Sequence, residues 1–112
     1  MSGKEKCFEN KIKRYLESLG IYRLGTPSNK MLLKPIGYYE KRHGSMFVSS
    51  GLPDMHIVVN GHSIEVEVKA ENGRASELQK LMLDQINTCG GKGLLVYPKD
   101  FATLKQTIEE YL

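Results

Sequence analysis

Few cysteines, no long apolar run and no strong charge excess narrow the class of this chain. It has two cysteines, Cys7 and Cys89, in unrelated contexts. No CxxC or Cys/His spacing suggests zinc, and two isolated thiols point to a reducing compartment rather than a disulfide framework. No apolar run approaches the roughly 18 residues of a membrane span. The first residues, Met1-Ser2-Gly3-Lys4-Glu5-Lys6, are charged and lead into no apolar signal core. Repeats, low-complexity tracts and an internal linker are all missing. The net charge is only +3, which permits nucleic-acid binding without indicating it. These absences predict a soluble, cytoplasmic protein with no membrane association.

A chain of 112 residues makes one domain, 1–112, with one modest core. Phe8, Ile12, Tyr15, Leu16 and Leu19 recur at helical spacing, which predicts a first helix over 4–19, stopped by Gly20. Ile21 to Leu24 reads as a short strand, Thr26-Pro27-Ser28-Asn29 as a turn, and Met31 to Lys34 as a strand ended by Pro35. Residues 37–51 show no period and read as a long loop, a kind of segment that is often functional in a small domain. Two strands turned by Asn60-Gly61 follow. Ser76 is placed to cap a helix running to about Thr88, with Leu78, Leu81, Met82, Gln85 and Ile86 facing inward. Gly93 to Tyr97 is a buried strand, and Asp100 is placed to cap a last helix with Phe101, Leu104, Ile108 and Tyr111 inward. The fold class is α/β, with one mixed sheet and helices on its faces.

The chemistry concentrates in the hairpin. With Asn60 and Gly61 as turn residues, Val59 pairs with His62, and facing positions sum to a constant along the ladder. Asp54 then opposes Glu67, Met55 opposes Val66, and His56 opposes Glu65. Directly opposed side chains point to one face. Ile64, Val66 and Val68 form the core face, while Glu65, Glu67 and Lys69 share the other. An isolated ExExK stretch is more often a solvated edge, but valine and isoleucine flank every charge here, which argues for a central strand. Opposed carboxylates repel, and Mg²⁺ or Mn²⁺ would relieve that repulsion. His56 reads as a structural partner of Glu65. Gln79 has two readings, because Ser76-Glu77-Leu78-Gln79 is also a capping box.

Gly51-Leu52-Pro53-Asp54, then Glu67-Val68-Lys69, then Gln79, resembles the PD-(D/E)xK nucleases and, within them, the VRR-NUC branch. The resemblance spans the first helix to the strand at 93–97. It implies a restriction-endonuclease-like α-β-β-β-α-β core, a central mixed sheet flanked by helices. It also implies metal-dependent phosphodiester hydrolysis. In that pattern Asp54, Glu67 and the Val68 backbone carbonyl would hold Mg²⁺ or Mn²⁺. Lys69 would orient or deprotonate the attacking water, or stabilise charge on the phosphorane. Gln79 would position Lys69 or a phosphate. Glu9, with Glu5 as the alternative, would complete the site from the first helix.

The substrate expected from the resemblance is DNA, read by shape. Tyr38, Tyr39, Lys41, Arg42 and His43 in the 37–50 segment would contact it, together with Arg74 and Ser76. Lys30, Lys34 and Lys80 would extend that surface. Stand-alone members of this branch, from bacteria or phage-infected cells, look like homodimeric resolvases of branched DNA such as four-way junctions. A nicking or restriction-like nuclease and a non-catalytic DNA-binding module are the alternatives.

Overall fold

The computed structural model describes residues 3–26, 35–42 and 51–112. Helix α1 covers Gly3–Ser18 and β1 covers Tyr22–Arg23, followed by β2, Gly37–Lys41. The hairpin is β3, Met55–Val59, and β4, His62–Val68. Helix α2, Glu77–Thr88, leads to β5, Lys92–Val96. A 3₁₀ turn, Pro98–Asp100, opens into helix α3, Phe101–Glu109.

The strands form one mixed sheet in the order β1-β2-β3-β4-β5. The outer pairs, β1/β2 and β4/β5, are parallel, whereas β2/β3 and β3/β4 are antiparallel. The hairpin register is the one expected, with Val59 facing His62, His56 facing Glu65 and Met55 facing Val66. Asn60 and Gly61 both take positive φ, 48° and 84°, as the tight turn requires. Strand β4 lies between β3 and β5 and is therefore central.

Period-two alternation on β3 and β4 puts Met55, Ile57, Val59, Ile64, Val66 and Val68 on one buried face. Phe8, Ile12 and Leu16 of α1 and Phe101, Leu104 and Ile108 of α3 belong to the same core. The opposite face carries Glu65 and Glu67, and α2 lies against it. Gly93, the β5 partner of Glu65, makes this approach possible: a Cβ there would sit 3.2 Å from Leu83 and 3.3 Å from Ile86.

Three expectations change. Residues 37–41 are strand β2 rather than loop, because they pair along the whole of β3. In α2 the buried residue is Leu83, whereas Leu78 and Leu81 are 41% and 50% exposed; the helix is rotated so that Leu83 and Ile86 meet the sheet at Gly93. Gln85 is exposed as well. Asp100 makes no side-chain cap to α3; its carboxylate accepts from Tyr97 N at 3.1 Å and braces the preceding turn. The turn at Pro27-Ser28-Asn29, the strand at Met31–Lys34, Lys30 and His43 lie outside the described residues. Among the described residues, no helix is long and apolar enough to cross a membrane.

Candidate active site

Asp54 sits immediately before β3, and its Oδ2 accepts a hydrogen bond from Val68 N at 2.9 Å. This bond ties the carboxylate to the backbone of β4 two residues beyond Val66, the last β4 residue paired with β3. Glu67 lies beside it, 2% exposed. Glu67 Oε1 accepts from Gln79 Nε2 at 3.0 Å and faces Lys69 Nζ at 3.7 Å. Glu67 Oε2 is buried without a donor. The third carboxylate comes from α1: Glu9 is 3% exposed, next to the core residue Phe8. Its Oε2 pairs with Lys13 at 3.3 Å, one helical turn on. Its Oε1 forms an ion pair with Lys41 Nζ at 2.6 Å. Lys41 Nζ is also 3.5 Å from Asp54 Oδ1.

These groups open onto one cavity of about 570 Å³ between α1, the ends of β2 and β4, and α2. Glu9, Asp54, Glu67, Lys69 and Gln79 all line it, so the structure gathers the five side chains to which the sequence points. Glu5 lines it too and raises the Glu67 pKa. Lys13 and Lys6 join the site without having been expected there; Lys13 stands four residues after Glu9 on α1, a spacing that marks it as a helical neighbour.

Burial pushes the Glu67 carboxyl up from 4.5 to about 8, helped by its hydrogen bond to Asp54 and the Asp54 charge and opposed by Lys69. The shift favours the neutral form of Glu67 beside Asp54, which eases the repulsion between the two carboxylates. Tyr39 is raised to about 12, first by burial and then by its bond to Glu17.

Gln79 serves two elements at once. Its backbone N donates to Ser76 Oγ at 3.1 Å and its Oε1 accepts from Ser76 N at 2.8 Å, which completes a capping box. Its remaining amide nitrogen reaches Glu67 rather than Lys69. Gly51 fixes the other approach. At φ +84° it packs so closely on α2 that a Cβ would lie 2.6 Å from Leu78 Cγ. The Gly51-Leu52-Pro53-Asp54 segment is thereby seated against the helix that carries Gln79.

The remaining candidate residues are dispersed. Tyr39 is 3% exposed and donates its hydroxyl to Glu17 Oε1 at 3.0 Å, so it is a core residue rather than part of a surface loop. Tyr38 is half-buried, its ring edge-on to His56. Arg42 lines the cavity but is engaged, bidentate to Glu65 with one contact at 3.0 Å, and donating to Pro53 O at 2.9 Å. That pair holds the Arg42 guanidinium pKa above its usual value. Ser76 is committed to the cap. Arg74 lines a separate cavity of about 910 Å³ with Tyr97 and Lys99. His56 faces Glu65 at 3.8 Å but is closer to Ser63 Oγ, at 3.2 Å. His62 stacks on Tyr111 with ring centroids 4.2 Å apart.

Among the described residues, no three His, Cys, Asp or Glu side chains are grouped to hold a metal ion. Asp54 and Glu67 make a two-carboxylate set beside the Val68 backbone. Glu67 Oε2 is a buried hard oxygen that accepts no hydrogen bond. This donor set fits Mg²⁺ or Mn²⁺, because Mg²⁺ is commonly held by one or two carboxylates and keeps several waters. No protein-family model, curated protein or solved structure matches the chain.

Proposed function

We propose that this chain is a divalent-metal-dependent endonuclease that hydrolyses DNA phosphodiester bonds. The observation that carries this reading is the convergence of Asp54, Glu67, Lys69 and Gln79, from a strand entry, a central strand and a helix, on one open cavity. The resemblance to the PD-(D/E)xK nucleases and their VRR-NUC branch supports it. So does the element order: a helix, the β2-β3-β4 antiparallel run, a helix and a parallel strand.

Asp54, Glu67 and the Val68 carbonyl would hold Mg²⁺ or Mn²⁺. When bound, the ion would polarise the scissile phosphate and acidify a water. Gln79 fixes the Glu67 carboxylate in its rotamer. Lys69 would orient the attacking water or offset charge on the phosphorane, and its position beside Glu67 keeps its ammonium at the cavity. Lys13 and Lys41 balance Glu9 and bring further positive charge to the place a phosphate would enter.

The proposed substrate is branched DNA such as a four-way junction, cut by a homodimer whose two-fold axis places one site on each of two strands. The test compares Mg²⁺- and Mn²⁺-dependent cutting of a junction and of a linear duplex of the same sequence. The wild type cuts the junction in preference, and Asp54→Ala and Glu67→Ala abolish cutting while keeping DNA binding. Equal cutting of both substrates favours a nicking or restriction-like enzyme. No cutting of any substrate favours a non-catalytic DNA-binding module. A monomer on gel filtration, with and without DNA, counts against the dimer.

A further inference from the structure

Resting on the metal-dependent reading above and going beyond it, we propose that Lys41 is a built-in placeholder cation. Its ammonium sits against Asp54 Oδ1, an oxygen that a divalent ion held by Asp54 and Glu67 would take, and metal binding displaces it.

Lys41 ends β2, and its backbone pairs with Met55, the neighbour of Asp54. One ammonium bridges two carboxylates from different elements, at 2.6 Å from Glu9 Oε1 and 3.5 Å from Asp54 Oδ1. The Lys41 side chain is only 10% exposed, so it has given up water and most of its rotamer freedom for these contacts. The shorter contact is an ion pair at 2.6 Å, and a doubly charged ion competes with a single ammonium for the same carboxylates.

The two oxygens of Asp54 have different duties. Oδ2 is tied to Val68 N at 2.9 Å. Oδ1 is the oxygen that faces Lys41. A metal taking Oδ1 together with Glu67 therefore arrives beside the Lys41 ammonium, and the two like charges repel within a few ångströms. Lys69 does not compete in the same way. It faces Glu67 Oε1, which Gln79 already occupies, and leaves Oε2 open. Displacement also strands no buried charge, because Glu9 keeps Lys13 on its Oε2 at 3.3 Å. The released ammonium stays in the cavity and exchanges a carboxylate for a phosphate oxygen.

The test is Mn²⁺ binding, read from the electron paramagnetic resonance of the free ion, for the wild type, Lys41→Met, Lys41→Arg and Asp54→Asn. Lys41→Met keeps an unbranched side chain one atom shorter and removes the charge, and it binds Mn²⁺ about tenfold more tightly than the wild type. Lys41→Arg binds like the wild type, and Asp54→Asn loses the site. Equal or weaker binding by Lys41→Met, with the Asp54 dependence intact, overturns the placeholder and leaves the metal site standing. No Asp54-dependent binding in either the wild type or Lys41→Met overturns both. A second readout needs no variant that must fold. In wild-type protein with ¹³C-labelled lysine, the Lys41 Cε resonance shifts during Mg²⁺ titration with the same midpoint as the Asp54 amide. A Lys41 resonance that stays put at saturating Mg²⁺ overturns the placeholder.

Discussion

Gln79 donates to Glu67 across 3.0 Å with the one end of its amide that the Ser76 cap leaves free. Cap and site are therefore not alternatives for this residue. The cap fixes where the first turn of α2 stands, and that position is what lets a short amide reach a buried carboxylate on a central strand.

The two duties separate by mutation. Ser76→Ala removes the cap alone and costs about 1 kcal/mol of stability, with the Glu67 contact retained. Gln79→Ala keeps the backbone bond to Ser76 Oγ, loses the reciprocal half of the cap and leaves Glu67 Oε1 without its neutral donor, so cleavage falls by at least about tenfold. Thermal melts and single-turnover rates on both variants check this. Equal loss of cleavage in the two would show that the cap is the whole of the role.

The raised Glu67 pKa gives a pH dependence of known sign. The folded protein keeps a proton between 4.5 and about 8 that the unfolded chain has released. The stability this group contributes is full below the lower value and is lost as the pH rises through the upper one. The metal-free melting temperature falls across that window, and Glu67→Gln flattens the fall. Metal binding to Asp54 and Glu67, as proposed, would expel the same proton. Mn²⁺ affinity therefore rises about tenfold per pH unit until Glu67 ionises on its own. A metal-free melting temperature that climbs through the window contradicts the assignment.

Gly51→Ala introduces a Cβ 2.6 Å from Leu78 Cγ at a backbone φ of +84°. It destabilises the protein by about 1–3 kcal/mol. It also weakens the site, because the Pro53-Asp54 segment must move away from α2. Adding Leu78→Ala relieves the collision but not the backbone strain, so denaturant melts show partial recovery.

Arg42 and Glu65 form a second brace. The same guanidinium holds Pro53 O, and Arg42 N donates to Asp54 O at 2.7 Å. In a double-mutant cycle, Arg42→Ala and Glu65→Ala show a coupling of about 1–3 kcal/mol. Arg42→Ala also slows cleavage more than Glu65→Ala does, because it alone releases the Pro53 carbonyl.

The hairpin is legible in the sequence because two strong local signals agree: an Asn60-Gly61 turn sets the register, and alternation sets the faces. Those two signals suffice to bring Asp54 to the Glu67 end of β4. Strand β2 is hidden for the opposite reason. Gly37-Tyr38-Tyr39-Glu40-Lys41 has no clean alternation, and what makes it a strand is its partner β3 rather than its own composition. The inner face of α2 misleads because two prominent leucines, Leu78 and Leu81, suggest a stripe. The contact that decides the face is made by Leu83 and Ile86 against Gly93, a residue whose importance lies in having no side chain. Lys41 reads in sequence as a DNA contact. Its place between Glu9 and Asp54 depends on how α1 crosses the sheet, which no local pattern reports.

The Phe8–Phe101 contact, with ring centroids 5.8 Å apart, joins the helix that carries Glu9 to the helix that follows β5. None of the described residues that line the cavity comes from α3. A substitution that loosens α3 would nonetheless unsettle Glu9 through its neighbour Phe8, so the site can be weakened from a helix that never touches it.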